Sequence, residues 1–531
     1  MIYFIPAWYK ENSWKESEQF WYRRKLHSEF DETIKQIQLF HRNMRIDYRI
    51  LLLNYAPNLR HFLHRQSVYR APYWSCFDAI QQVKRSKIAV LSYHRLKWPK
   101  GIEFSYSPFA IVAFLNGQKY AQVEFGEDGN MISIDMYTDG IICRRNIYDD
   151  RGFVSTTTIF EDGKEKYTDY LMENGKWKMC EDADSGVITI NQNCPNYDIN
   201  FNGKEQEIPF RRTVYENMEQ VIEEVFQSYL KQTDHDAFIT AVHPLHIGLL
   251  HRCLRDKPYI CTFFEHRYRY RNLESIKSFL NHSNYIITDS KRAMERVKKV
   301  VDSNVPCMDI SPYDTRTDFG ISQQLNVQNI LLPVDDIDDN DLYLIIYELA
   351  LYLLKNKKAR VHVFTRKATN RDATIIMDKI AECLNENHFD MRWIYESDQK
   401  IESENDLDEE QEEKVEVRFI LDQCVDERTI SKCLNEQRVI LDLRGRTDVF
   451  LFVTAISKGV PRISTRTDQY FKDRGNGYLI DDYSQIGTSV SYFLDSFENW
   501  NAALVSCYEL GKEFTTGILI DAWKEVLTTL E

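Results

Sequence analysis

Hydrophobic positions in this chain follow two kinds of pattern, which divide it into two similar blocks and an interruption. Early in the chain, short apolar runs such as Ile2–Ile5 and 48–53 are separated by a longer stretch of helical spacing at 14–40. Alternation of strand, helix and strand predicts a parallel sheet that helices cover on both faces. The same alternation returns after residue 211 and starts once more at Asn329.

The interruption consists of short strands separated by turn signals. A pair such as Asn-Gly, Asp-Gly or Arg-Gly recurs about every eleven residues, from Gly117 to Gly203. Such pairs favour tight hairpin turns, and β-branched runs such as 154–160 favour strands. This pattern predicts an inserted antiparallel β-sheet domain over residues 101–210.

We therefore expect an α/β protein with two Rossmann-like domains that face each other across a cleft. The first domain is predicted to comprise 1–100, 211–320 and a carboxyl-terminal helix at 513–531, and the second to comprise 321–512. Ligands of open α/β sheets bind at the carboxyl ends of the strands. The cleft is therefore the expected binding site.

Composition excludes several classes of function. The net charge of −14 argues against a general nucleic-acid binder, because the phosphate backbone attracts the opposite sign. The 11 cysteines include no Cys-x-x-Cys pair, which predicts reduced thiols in a cytosolic protein. His243 and His246 have a spacing that suits a metal, but no third ligand accompanies them, so we expect neither a metal nor another cofactor.

Two further segments bear on the membrane and on partners. The apolar run 341–354 is shorter than the roughly 20 residues that a spanning helix needs, and the opening residues lack a basic leader. We therefore expect no signal peptide and no membrane crossing. The segment 396–414 carries ten acidic residues among nineteen, which predicts a solvated loop or, alternatively, a docking site for a basic partner.

Four stretches of the two α/β blocks resemble the retaining glycosyltransferases that have two Rossmann domains, the GT-B fold. These stretches are KPYICTFFEHRYRYRN with NYIITDS, SKGVP with RISTRTDQYFKDRGNGYLID, FTTGILIDAWKEVL, and the β-rich interruption. The interruption resembles the extension of the glycosyltransferases that decorate serine-rich-repeat adhesins. The resemblance implies a donor site on the second domain.

Residues that this resemblance assigns to catalysis are replaced here. In the family, two glutamates eight positions apart precede the Gly-Val-Pro, and counting back from Gly459 places them at Arg446 and Thr454. Neither residue supplies a carboxylate acceptor. The family also has cations after the first donor-domain strand, where this chain has Asp335 and Asp336. These acids either face the diphosphate position, which predicts a lost donor site, or cap the following helix.

Together with the opening FIPAWY, these features resemble the accessory secretory protein 1 family of the accessory Sec system. This resemblance covers essentially the whole length and implies a non-catalytic component that assembles with two sibling accessory secretory proteins. It further implies that they help a SecA-type motor to export a glycosylated serine-rich-repeat adhesin at the membrane surface. Two alternatives remain: an active retaining glycosyltransferase, and a lectin-like module that binds the adhesin's glycans.

Two clusters are candidate binding groups at the cleft. After a predicted strand come cations and rings that suit a sugar, a phosphate or an unfolded peptide, namely His266, Arg267, Tyr268 and Arg269. Before the donor-side helix, whose amino terminus favours an anion, come Arg444, Arg446 and Thr447. The alternatives are a solvated loop for the first cluster and internal pairing with carboxylates for the second.

A third candidate surface lies near the amino terminus. Arg23, Arg24 and Lys25 follow Trp21 and Tyr22 and combine positive charge with aromatic rings. Such a combination suits an anionic lipid surface. The alternative is a solvated helix face.

Overall fold

The computed structural model describes residues 1–22, 30–234, 236–264, 267, 273–394 and 417–530. Its amino-terminal part alternates strands and helices in the order β1 (Ile2–Ile5), α1 (Thr33–Asn43), β2 (Tyr48–Leu52), α2 (Leu59–Arg65), β3 (Tyr73–Ser75) and α3 (Cys76–Gln81). All four residues of β1 are buried, as expected for a strand that helices cover on both faces.

The predicted helix over 14–40 was wrong over residues 14–22 and 30–32, and residues 23–29 lie outside the described residues. Helix α1 starts at Thr33, and two earlier residues form isolated bridges to distant parts of the chain, Lys15 with Tyr55 and Phe20 with Gly126. Asp31 shows the physical reason for the late start. Its carboxylate accepts hydrogen bonds from the Ala7 N–H and the Trp8 indole, so tertiary contacts override helical spacing.

The interruption forms hairpins, as its turn signals predict. It contains β4 (Ile102–Tyr106), β5 (Ile111–Leu115), β6 (Gln118–Phe125), β7 (Met131–Thr138), β8 (Ile141–Asp149), β9 (Phe153–Glu161), β10 (Lys164–Leu171), β11 (Trp177–Asp182), β12 (Ile188–Ile190), β13 (Asn196–Asp198), β14 (Glu207–Pro209) and β15 (Val214–Tyr215). Ten of these strands form an antiparallel sheet in the order β15-β12-β11-β10-β9-β8-β7-β6-β5-β4. Asp139 and Gly140 join β7 to β8 with φ angles of 51° and 78°, as a tight hairpin turn requires.

After this sheet the chain returns to the first lobe. It continues through α4 (Met218–Leu230), β16 (Ala237–Ala241), α5 (Ile247–Cys253), β17 (Tyr259–Phe263), α6 (Lys277–His282), β18 (Tyr285–Thr288), α7 (Lys291–Lys298) and β19 (Cys307–Asp309). The first lobe's parallel sheet has the order β19-β18-β17-β16-β1-β2-β3. The antiparallel sheet is therefore inserted between two neighbouring parts of one parallel sheet.

The second lobe is another parallel sheet with its own helices. It contains β20 (Gln328–Pro333), α8 (Asp339–Lys355), β21 (Ala359–Thr365), α9 (Asn370–Glu386), β22 (Phe419–Gln423), α10 (Glu427–Leu434), β23 (Gln437–Asp442), α11 (Val449–Lys458), β24 (Arg462–Ser464), β25 (Gly477–Leu479), α12 (Ile486–Leu494) and α13 (Phe497–Gly511). Its strand order is β22-β21-β20-β23-β24-β25. The predicted fold class, two Rossmann-like lobes with an antiparallel insertion in the first, is confirmed.

The last helix, α14 (Thr516–Thr528), returns to the first lobe. Its buried Trp523 packs edge-on against Phe40 of α1, with ring centroids 5.4 Å apart. The exact domain limits stay a prediction. Within the described ranges, no helix is both long enough and apolar enough to span a bilayer.

Candidate functional site

The cleft face of the second lobe is built at the carboxyl ends of four parallel strands. Asp335 follows β20, Arg366 follows β21, Arg444 and Arg446 follow β23, and Arg466 follows β24. Parallel strands bring these side chains to one edge of the sheet, where open α/β folds bind ligands. The edge therefore concentrates charge of both signs.

Arg444 is bound inside the protein. Its side chain is fully buried, and its Nε and Nη2 donate to the two carboxylate oxygens of Asp442 at 2.8 and 3.1 Å. Its Nη1 lies 3.7 Å from Asp448 Oδ2. Burial acts to lower the pKa of Arg444, but Asp442 and Asp448 raise it overall. This geometry favours internal pairing, and a role for Arg444 in ligand binding stays a prediction.

Arg446 pairs with the acids that follow β20. Its Nε lies 3.1 Å from Asp336 Oδ2, and its Nη2 lies 3.9 Å from Asp335 Oδ2. Burial and the neighbouring Arg444 lower the pKa of Arg446. The sequence resemblance predicts that Arg446 lies at the position of a family carboxylate and the two acids at the position of the family cations. In this prediction the two sets of charges are exchanged, and in the structure Arg446 pairs with both acids.

Acids after β20 divide into two groups. Asp335 is buried and accepts hydrogen bonds from Thr365 Oγ1 at 2.6 Å and from the Arg366 N–H at 2.8 Å. Asp338 instead caps α8 by accepting a bond from the N–H of Asp341. Helix capping therefore applies to Asp338, and a position of Asp335 facing a diphosphate stays a prediction.

Thr454, the second position that the family resemblance assigns to a glutamate, lies in a groove of about 670 Å³ between the lobes. Thr454 lines it together with Phe450, Trp523 and the acid Glu427. Glu427 is already ion-paired, because Lys35 of the first lobe donates a hydrogen bond to its Oε2 at 2.6 Å. The groove thus contains a carboxylate, but it is held in an ion pair that crosses between the lobes.

Of the candidate loop, His266, Tyr268 and Arg269 lie outside the described residues. Arg267 forms a two-point ion pair with Glu32, from Nε at 3.1 Å and from Nη2 at 2.7 Å. Glu32 is fully buried and also accepts a hydrogen bond from the Tyr313 hydroxyl at 3.0 Å. A ligand role for these four residues stays a prediction.

Sequence reasoning named Thr447 among the polar groups of the cleft but missed Arg466. Both terminal nitrogens of Arg466 and Oγ1 of Thr447 are buried without a hydrogen-bond partner among the described residues. Burial lowers the pKa of Arg466 to about 10. Unsatisfied buried donors are costly. The hydrogen bonds of buried polar groups are therefore less completely satisfied at this edge than in an ordinary protein core.

Direct contacts join the lobes beside these groups. Arg292 at the start of α7 donates to the Gly445 carbonyl, and the Tyr470 hydroxyl donates to the Asp289 carbonyl at 3.3 Å. The Lys291 N–H donates to Gln469 Oε1 at 3.3 Å. The lobes therefore touch around the charged network.

His243 and His246 are held in the protein interior. His246 uses both ring nitrogens, one with the Tyr9 hydroxyl at 2.8 Å and one with the Ala241 carbonyl at 2.6 Å. Burial lowers the pKa of His243 to about 4 and that of His246 to about 3. No group of three or more potential metal ligands occurs in the part of the chain that the structure describes.

Candidate lipid-facing residues Arg23, Arg24 and Lys25 lie outside the described residues. Next to them in the sequence, the Trp21 side chain is 49% exposed, and the Trp21 backbone N–H donates to the Phe125 carbonyl at 3.1 Å. This contact attaches the preceding segment to the end of β6. Trp21 of the predicted surface is therefore exposed, whereas Tyr22 is half-buried and packs edge-on against Phe109, with ring centroids 5.4 Å apart.

Two Rossmann-like lobes with a cleft between them define the GT-B glycosyltransferase-like fold, to which this chain adds an inserted sheet. The pneumococcal O-GlcNAc transferase GtfA, solved with UDP and GlcNAc, matches 100% of this chain and 99% of its own with a TM-score of 0.68, at 11% identity. At that identity the likeness shows the fold alone.

The family is narrower than the fold. This chain belongs to the accessory Sec system protein 1 family, whose model matches residues 1–529. The Streptococcus gordonii member is 31% identical over 536 residues, covering 99% of both chains. The crystal structure of accessory secretory proteins 1, 2 and 3 of Streptococcus pneumoniae matches 100% of this chain and 99% of that one, with a TM-score of 0.77 and 27% identity. The predicted family is confirmed.

Proposed function

We propose that this chain is a non-catalytic component of the accessory Sec system that is needed to export a glycosylated serine-rich-repeat adhesin. In this proposal it acts in the cytoplasm with sibling accessory secretory proteins and with a SecA-type motor. Membership of the accessory Sec family supports the general role. The adhesin, the motor and the lack of catalysis are the specific parts of the proposal.

The exchanged charges of the cleft carry the argument against sugar transfer. Asp335 and Asp336 occupy the region where the related enzymes neutralise a diphosphate, and they pair with Arg446. Two like charges 4–5 Å apart repel by roughly 3–4 kcal/mol at an effective dielectric of 20. A diphosphate would meet this repulsion and would also have to break an ion pair. Arg446 and Thr454 offer the donor sugar no carboxylate.

Assembly with siblings is supported by the relatives. Proteins 1, 2 and 3 of Streptococcus pneumoniae were crystallised together, and a structure from Streptococcus agalactiae is described as a Gap123 complex, with 26% identity and a TM-score of 0.77 to this chain. We extend that assembly to this chain. The export complex would then present one non-catalytic GT-B-like subunit.

Association with the inner face of the plasma membrane is part of the same proposal. The exposed Trp21 precedes Arg23, Arg24 and Lys25 in sequence. An aromatic ring beside cations suits an anionic headgroup layer, with each cation near the surface worth about 1 kcal/mol. Association through such a surface would be peripheral.

Deletion and complementation in the native host test the export role. We expect the deletion strain to make and glycosylate the adhesin but to keep it inside the cell. The unaltered gene should restore surface display, and so should Thr454→Ala, because no catalysis is lost. Normal display in the deletion strain would contradict the proposal.

Calorimetry with uridine diphosphate sugars tests the rival enzyme. We expect no binding heat at millimolar sugar nucleotide and no release of uridine diphosphate in the presence of the adhesin. Measurable binding together with turnover would instead establish an active glycosyltransferase. The pneumococcal transferase GtfA provides the positive control for both measurements.

A further inference from the structure

The last strand of the inserted sheet, β4, has an open side. It pairs with β5 on one side, and no described strand pairs with it on the other. The Ser107 N–H donates to the Ala110 carbonyl at 3.1 Å, which fixes the alternation of hydrogen-bonded pairs along the hairpin. By this alternation the backbone N–H and C=O groups of Phe104 and Tyr106 point away from β5.

This open edge has few of the devices that usually protect an edge strand. β4 has the sequence IEFSY, in which Glu103 is exposed and charged, and it contains no proline and no lysine. At its end, Tyr106 is 63% exposed and Phe109 in the following turn is 57% exposed. A strand with free backbone groups beside exposed aromatic rings is a template for pairing with another chain.

A basic segment packs on one face of the sheet and reaches β4. Residues 84–100 contain six Lys and Arg and no acid, in a protein with a net charge of −14. Trp98 and Tyr93 attach this segment to the sheet through Phe104, with ring centroids 5.4 and 5.3 Å away. Lys84 and Arg85 of this segment form ion pairs. Three other cations are exposed and make no ion pair within the described ranges, namely Arg95, Lys97 and Lys100.

We propose that β4 is a docking edge for an extended, acidic strand of a sibling accessory secretory protein. Open backbone groups require an extended chain as the occupant, because lipid and folded helices supply no matching donors and acceptors. The unpaired cations select an acidic strand. The inference rests on the proposed function, which supplies the sibling as the partner.

A proline at an outward position tests the edge. Tyr106→Pro removes an outward N–H from an exposed residue, so we expect it to weaken the complex with purified sibling proteins by about tenfold or more. Tyr106→Ala keeps that N–H and should weaken the complex less. Isothermal calorimetry measures both affinities, and thermal unfolding of each variant alone establishes that it is folded.

The opposite edge provides a matched control. Val214 of β15 is 53% exposed, and the bond from the Ile190 N–H to the Thr213 carbonyl at 2.8 Å leaves the Val214 N–H pointing outward. Val214→Pro therefore removes an equivalent N–H from the other end of the same sheet. We expect it to leave sibling affinity unchanged within twofold.

Two further measurements do not depend on the folding of a variant. Hydrogen exchange on the unaltered complex should show new protection at the amides of Phe104 and Tyr106. Lys97→Glu with Lys100→Glu should weaken the complex and reduce its salt dependence. Unchanged exchange at β4, or equal effects of the two proline variants, would overturn the docking edge while leaving assembly intact.

Failure of the underlying proposal has a different outcome. If the unaltered chain does not bind its siblings, the proposed assembly fails, and the docking edge fails with it. Vesicles containing phosphatidylglycerol, tested without siblings, separate a lipid surface from a protein edge. If the Lys97→Glu, Lys100→Glu variant loses vesicle binding but keeps its sibling affinity, the basic segment faces lipid and the inference is wrong.

Discussion

Two buried ion networks in this chain differ in how completely their hydrogen bonds are satisfied. The junction network, which joins the inserted sheet to the first lobe, consists of Arg60, Asp78, Asp149, Asp150 and Arg151. Every guanidinium nitrogen of Arg151 is bonded, to Asp78 and Asp149 at 2.7–2.8 Å and to the Arg85 carbonyl at 3.2 Å. The nitrogens of Arg60 also all have partners, including Asp150, the Tyr73 hydroxyl and the Pro57 carbonyl.

The cleft network is incomplete by comparison. It consists of residues at the strand ends of the second lobe, namely Asp335, Asp336, Arg366, Asp442, Arg444, Arg446 and Asp448. Arg444 Nη1 and Arg446 Nε lack a well-aligned hydrogen bond among the described residues, and so do the terminal nitrogens of the adjoining Arg466. Burial lowers the pKa of Arg446, whereas nearby carboxylates raise the pKa of Arg444 and of Arg151 against the effect of burial, so Arg446 is the less completely matched of these three arginines.

The difference separates two roles for buried charge. A saturated network holds two parts of the fold together, because each charge is matched where it lies. A network with unused donors at the strand ends has the composition of a binding surface, although its charges now pair mainly with each other. Counting buried arginines alone would not distinguish the two.

Removing one arginine from each network should give the largest effect. Arg151→Met leaves Asp78 and Asp149 without their main partner, so we expect a loss of about 3–5 kcal/mol in unfolding free energy. Arg446→Met removes a pair whose arginine is 22% exposed, and we expect a loss of about 1 kcal/mol or less. Guanidinium unfolding measures both. Equal losses would show that the cleft network supports the fold as much as the junction network does.

Restoring the family charges one at a time should give an intermediate effect. Arg446→Glu alone places three acids together, and Asp336→Arg alone places a third cation beside Arg444 and Arg446. We expect each to cost about 1–2 kcal/mol and the double exchange to recover most of the loss, a coupling of about 1 kcal/mol or more. Thermal unfolding of the four proteins supplies the cycle. Additive losses would mean that the ion pair at 3.1 Å contributes no coupling.

The pH dependence of the junction network should give the smallest effect. Burial, with the charge of Asp149, raises the pKa of Asp150 to about 6 from an ordinary 3.8. Below that pH Asp150 is protonated, so Arg60 and Arg151 face two ionised acids, Asp78 and Asp149. Because the native state holds this proton more tightly, the contribution of Asp150 to stability falls as pH rises between about 4 and 6. Asp150→Asn should thus become more stable relative to the unaltered protein as the pH rises from 4 to 7, measured by urea unfolding. A constant difference would contradict this assignment.

Local patterns predicted the fold well and the site only in part. The Gly-containing turns fix the hairpins of the inserted sheet because they act over two residues. The family resemblance also predicted that Arg446 and Asp335 belong to one donor site. The sequence could not show that these residues neutralise each other, since more than a hundred positions separate them.

Groups missed from the sequence share long-range contacts. Glu32 lies 235 positions before its partner Arg267, and no spacing rule links an acid before a helix to a loop after a distant strand. The sequence did not single out Arg466, because one arginine after a strand is common in proteins. The available signal for Glu32 was the pair Asp31 and Glu32 between Phe30 and the apolar helix, but acids at a helix start are usually solvated.

The return of α14 to the first lobe affects the order in which this protein can fold. Trp523 and Val526 complete a core that also contains Phe4 and Ile50, residues made almost five hundred positions earlier. During synthesis the first lobe must wait, with that surface uncovered, until the second lobe and the final helix have left the ribosome. Chaperone protection of the nascent chain should therefore be needed longest at the face that α14 eventually covers.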